Sequence, residues 1–167
     1  MKPLENPDLY HARAAQGWLE LGNPSEAAAE LENISPAQDN HPAVLEIRWE
    51  LAAKQGKWDA AKDIARTIVT ENPDDASGWL HLSYATRRAT GGSVQDAWDV
   101  LLPVGNKFPK VALISYNLAC YACQLGKPIV AWKWLQKAFA AGDLAHLKFM
   151  ALHDSDLEPL WKKISGI

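Results

Sequence analysis

Across residues 42–75 the apolar positions fall at the spacing of two short helices. From residue 43 to 55, Leu45, Trp49 and Ala52 recur at intervals of four and three, and the pattern halts at Gly56. That spacing lays one apolar stripe along an otherwise polar helix. From residue 58 to 69, Ala61, Ile64, Ala65 and Ile68 share a side. Asn72-Pro73-Asp74-Asp75 ends the run, since a proline disfavours helical backbone in the residue before it. Helices this short are marginal alone in water, so the two are expected to pack on each other and on neighbours.

The same spacing recurs on both sides. Gly22, Gly56, Gly92 and Gly126 lie 34, 36 and 34 residues apart, and Ala27, Ala61, Ala97 and Ala131 each stand five residues beyond their glycine. Each glycine is expected to close a first helix in left-handed backbone, which is easiest without a Cβ. Each alanine is expected where two helices cross with axes about 8–10 Å apart. Leucine at Ala61 or Ala97 should therefore cost about 1–3 kcal/mol by overpacking.

The rest of the chain fits this frame. Helices are predicted over 8–21, 76–89 and 94–102, with a further pair inside 112–143. Asn23-Pro24-Ser25-Glu26 carries an asparagine cap, a proline at the first helical position and a glutamate at the third. Ser93 with Asp96 has the look of another cap. Pro103 and Gly105 should shorten the helix after it. Beyond Gly142 the period fails: a short helix is expected over 144–152, then a last one through Leu157, Leu160, Trp161 and Ile164, capped by Ser155 or Asp156.

A period of 34 built from two helices resembles the tetratricopeptide repeat (TPR). Trp79, Leu82, Leu101, Leu135 and Ala138 stand at the family's large and small packing positions, and Pro73 and Pro109 at its closing position. The resemblance implies an all-α, right-handed solenoid forming one domain over 1–167. Its four helix-turn-helix repeats would cover about 8–41, 42–75, 76–111 and 112–145, with a capping segment over 146–167 to cover the apolar end of the stack. The tail is similar to the closing segment of some bacterial TPR proteins, on the strength of Asn117, Ala119 and Cys120 followed by Asp154, Asp156 and Leu157.

The resemblance also implies a function. First helices of such arrays line a concave groove that holds a peptide or partner protein. The positions that point into it are here Arg13, Gln16 and Glu20; Glu46, Ile47, Glu50 and Lys54; Leu80, His81, Tyr84, Arg87 and Arg88; and Tyr116, Asn117, Cys120, Cys123 and Gln124. Arg87 and Arg88 suit an acidic end, and Leu80, Tyr84 and Tyr116 an apolar body. The expectation is a non-catalytic interaction module or scaffold without cofactor or metal, binding an unidentified protein or peptide. One alternative is a homo-oligomeric structural protein of the same build.

Composition narrows the picture. Apolar residues make up 48% and charged residues 22% of the 167, as in ordinary folded domains. A formal charge of −3, with no basic run longer than Arg87-Arg88 or Lys162-Lys163, speaks against nucleic acid and against anionic membranes. The first seven residues hold no apolar run of a signal sequence, and no stretch is apolar enough to span a bilayer. Cytoplasm is the expected location.

Two motifs tempt a chemical reading. Cys120-Tyr121-Ala122-Cys123 offers two thiols, the basis of a second alternative, a metal- or thiol-dependent protein. Zinc needs four ligands, however, and a redox pair belongs at a helix N-terminus rather than in mid-helix. His153-Asp154-Ser155 contains the residue types of a hydrolase triad, but neighbours in sequence cannot form the relay. The eight tryptophans are expected in the core and between repeats.

Overall fold

The computed structural model describes residues 3–167, and these are helical with no strand among them. The chain divides into two compact units, Met1–Thr90 and Gly91–Ile167. The division falls between the two helices of the third predicted repeat.

The first unit holds α1 (Asp8–Glu20), α2 (Pro24–Glu32), α3 (Pro42–Lys54), α4 (Trp58–Glu71) and α5 (Ala76–Arg88), with a 3-10 turn at Pro36–Gln38. Its helix starts follow the expected chemistry. The Asn23 side chain accepts the Glu26 N–H at 3.3 Å, and Asp75 caps α5 by accepting from the Ser77 N–H. Helix α1 packs on α2 and α3, α3 on α4, and α4 on α5. Ala12, Ala15, Leu19, Ala27, Leu31 and Val44 form the centre of one core, while Ala52, Ala61 and Ala85 form a second under Trp49, Trp58 and Ile64. Gly78 lets α5 lie against α4, for a Cβ there would meet Ile68 Cγ2 at 2.7 Å.

Two carboxylates fasten helix starts to later loops, which no sequence period announces. Asp8 accepts the Ser35 N–H at 2.7 Å and its hydroxyl at 2.8 Å; Asp59 accepts the Thr90 N–H at 3.0 Å and its hydroxyl at 2.7 Å. These bonds favour the charged form and hold both carboxyls below their usual range, through the Ser35 amide first for Asp8 and the Thr90 hydroxyl first for Asp59.

The second unit holds α6 (Val94–Leu101), α7 (Ala112–Gln124), α8 (Pro128–Ala141), α9 (Leu144–His153) and α10 (Trp161–Ser165), with 3-10 turns at Leu102–Val104 and Ser155–Leu160. Pro103 sits in the first turn and ends α6, as expected. Ser93 caps it by accepting the Asp96 N–H at 3.1 Å. Helix α7 is small and apolar on almost every side, and such a helix must be buried. Helices α6 and α8 and the Ser155–Leu160 turn pack around it. The cap of that turn is Asp154, which accepts the Asp156 N–H at 3.0 Å, rather than Ser155 or Asp156.

Ala27, Ala61, Ala97 and Ala131 are all fully buried. The left-handed glycines are Gly22, Gly56, Gly91 and Gly126, with φ between 69° and 75°. The third is therefore Gly91 and not Gly92, which shortens the long interval by one residue. Gly91→Ala is expected to cost about 1–2 kcal/mol, since a Cβ crowds the next carbonyl in left-handed backbone. Gly92→Ala should cost clearly less, and urea denaturation of the two variants would distinguish them. No helix among the described residues is long and apolar enough to cross a membrane.

Candidate functional site

Helices α1, α3 and α5 of the first unit bring Gln16, Glu20, Glu46, Glu50, Lys54, His81, Tyr84 and Arg88 into a connected face, whereas Ile47, expected in the groove, is buried in the first core. On α3, Glu46, Glu50 and Lys54 follow at four-residue spacing and so share a side. Gln16 on α1 donates to Glu50 Oε2 at 3.3 Å, and Lys54 Nζ lies 3.7 Å from Glu50 Oε1. Glu46 takes two bonds from α5: His81 Nε2 donates to Oε2 at 2.7 Å and the Ser77 hydroxyl to Oε1 at 3.0 Å. Both acids of α3 are therefore already engaged by neighbouring side chains.

An aromatic group continues from there toward the end of α5. The Trp49 ring stacks on His81 with centroids 3.7 Å apart, and Tyr84 meets Trp49 and Trp58 edge-on. Above them, the Arg88 guanidinium lies 3.5 Å over the Tyr84 ring and 5.4 Å from Trp58, and its Nη1 donates to the Tyr84 carbonyl. A guanidinium seated over a ring and bonded to a carbonyl is restrained in position while the exposed side chain still meets water. Tyr84 and Arg88 are exposed, whereas Leu80, His81 and Arg87 are half-buried. Trp49 Nε1 is buried without a partner among the described residues.

Trp49 and Trp58 belong to this face although their repeat positions mark them for the core. A tryptophan at a packing position gives no hint that its ring edge continues into a surface stack. Only the packing of α3, α4 and α5 supplies that.

The α7 members require a correction. Tyr116 and Cys120, expected to line an open groove, are 4% and 3% exposed. The chain's own C-terminal segment lies on them. The Tyr116 hydroxyl donates to Asp154 Oδ2 at 3.1 Å and the Cys120 thiol to the same oxygen at 3.4 Å, while Gln124 Nε2 reaches the Asp156 carbonyl at 3.5 Å. Cys123 is buried as well. Asn117 donates to the Leu113 carbonyl of its own helix.

This arrangement also sets the thiol chemistry. Burial, and after it the charge of Asp154, pushes the Cys120 thiol far up; burial first, then neighbouring charges including Asp154, does the same to the Tyr116 hydroxyl. Burial, then Asp156 and Asp154, pushes the Cys123 thiol up to about 11. Both thiols stay protonated at neutral pH, the reverse of what a nucleophile or metal ligand needs. A thiol raised in the folded state contributes stability that is whole below its ordinary value and lost as pH rises through the folded one. Urea midpoints are expected to hold up to about pH 9 and to fall from there to about pH 11. Cys123→Ala should fall less over that window; equal falls would contradict the assignment.

The three residues 153–155 diverge. His153 Nδ1 donates to the Phe149 carbonyl, Asp154 serves the contacts above, and Ser155 is exposed. His11 is bound to Glu30 at 2.8 Å, and His41 caps α3 by accepting the Ala43 N–H. Set against protein-family models and against curated proteins, the sequence matches none.

Proposed function

We propose that this chain is a non-catalytic protein-interaction module of tetratricopeptide-like helix pairs, and that the face of α1, α3 and α5 holds an extended peptide or helix with an acidic end. The recurrence of paired helices with buried alanines and left-handed glycines at matching places supports the family reading. One observation carries the ligand reading. Arg88 lies over Tyr84 at 3.5 Å and is exposed, while Glu46 and Glu50 of α3 are engaged by His81, Ser77, Gln16 and Lys54. A carboxylate arriving there meets an oriented bidentate donor, and Leu80, Tyr84 and the tryptophan edges receive an apolar body. Against the sequence reading, the α7 positions are left out of the binding set.

A displayed library of random peptides selected on the purified protein tests this. Enriched peptides should carry acidic residues, and Arg87→Glu/Arg88→Glu should weaken them by about tenfold or more, the worth of a charge-assisted pair. Failure to enrich any peptide, or unchanged affinity in the variant, would overturn the proposal.

A further inference from the structure

In the second unit a cavity of about 470 Å³ opens between the loop after α6, helix α7 and the C-terminal half of α8. Its polar lining is Asn106, Lys110, Ser115 and Lys137; Gly105, Pro109, Ala140 and Ala141 complete it, and no carboxylate side chain borders it. The unit as a whole carries eight lysines against six acidic side chains, a formal charge of +2 within a chain of −3.

One of the two lysines is held in place by its neighbours. The Lys137 ammonium lies 3.9 Å over the Trp134 ring and 3.4 Å from Asn106 Oδ1, an arrangement that fixes its position and leaves N–H groups for another acceptor. Ser115 is 2% exposed and borders the cavity, yet its hydroxyl has no hydrogen-bond partner among the described residues. Gly105 lets the loop lie flat and close the wall, for a Cβ there would meet Trp134 at 2.8 Å and Leu118 at 2.9 Å.

We propose that this cavity binds the phosphoryl group of a small phosphate ester, with Lys110, Lys137 and Ser115 on its oxygens. Two ammonium groups and a hydroxyl suit a tetrahedral dianion. Pro109, Ala140 and Ala141 leave apolar room that inorganic phosphate alone does not fill. The site is in a different unit from the peptide-binding face, and neither proposal depends on the other.

Calorimetric titration with inorganic phosphate, phenyl phosphate and acetate provides the test. Phenyl phosphate should bind saturably, inorganic phosphate about tenfold more weakly, and acetate not measurably. Lys110→Glu alters an exposed residue and should abolish binding with an unchanged melting temperature. Ser115→Ala should weaken it by about five- to tenfold, the worth of one hydrogen bond. Equal affinity for the two phosphates would remove the ester part of the proposal. No saturable binding at about 10 mM, or full binding by Lys110→Glu, would overturn it.

Discussion

Ala61→Leu is expected to lower the unfolding free energy by about 1–3 kcal/mol. Ala61 is fully buried in a small cluster with Ala52 and Ala85, covered by Trp49, Trp58 and Ile64. Three extra carbons cannot enter without moving α3 and α4 apart or turning the tryptophans. Interiors are too closely packed to absorb the volume otherwise. The same displacement would tilt Trp49 away from His81, so peptide binding should weaken with stability. Ala60→Leu is the control, since Ala60 is exposed on the same helix, and should change stability by less than about 0.5 kcal/mol. Urea denaturation of both variants decides the matter, and equal midpoints would show that the crossing tolerates a larger residue.

The second large effect is expected at Asp154. Its carboxylate accepts from the Tyr116 hydroxyl, the Cys120 thiol and the Asp156 N–H. Asp154→Ala leaves two buried side-chain donors without an acceptor and uncaps the following turn. Each buried donor left unpaired costs about 1–3 kcal/mol, less for the weaker thiol. Asp154→Asn retains one oxygen and should keep a good part of the loss from appearing. Thermal unfolding of the two variants measures the difference. If Asp154→Ala melts with the unaltered protein, the carboxylate is not what holds the segment onto α7.

Helix ends and packed positions are legible in the sequence because their causes are local. Asn23-Pro24-Ser25-Glu26 and Ser93 with Asp96 bring their own acceptors to the exposed amides, so those boundaries follow from four residues each. The buried alanines follow from period alone. Adjacent candidates are not resolved this way. Gly91 and Gly92 suit the left-handed position equally in sequence, as Asp154, Ser155 and Asp156 suit the cap, and the choice falls to backbone geometry several residues away.

The candidate site was legible where neighbouring side chains lie on successive first helices of one unit. Glu46, Glu50, Lys54, His81, Tyr84 and Arg88 fall on one face because helical spacing puts them there. Tyr116 and Cys120 fail for a different reason. Repeat position tells which way a side chain points, but not what lies over it, and the covering turn arrives from some thirty-four residues later in the chain, the separation of Cys120 and Asp154. The cavity beside Ser115 depends likewise on three segments meeting and leaves no signature in any one of them.

The paired bonds at Asp8 and Asp59 have an outcome of their own. Because both carboxyls titrate below the ordinary range, their help to the fold is whole at neutral pH, begins to fade as acid reaches the ordinary aspartate range, and is gone once the solution has passed below the depressed values. In the folded chain these hasps keep their charge in mild acid that already discharges a free aspartate, so the first protons are taken up by opened chains, and the loops at Ser35 and Thr90 loosen by degrees rather than at one sharp pH.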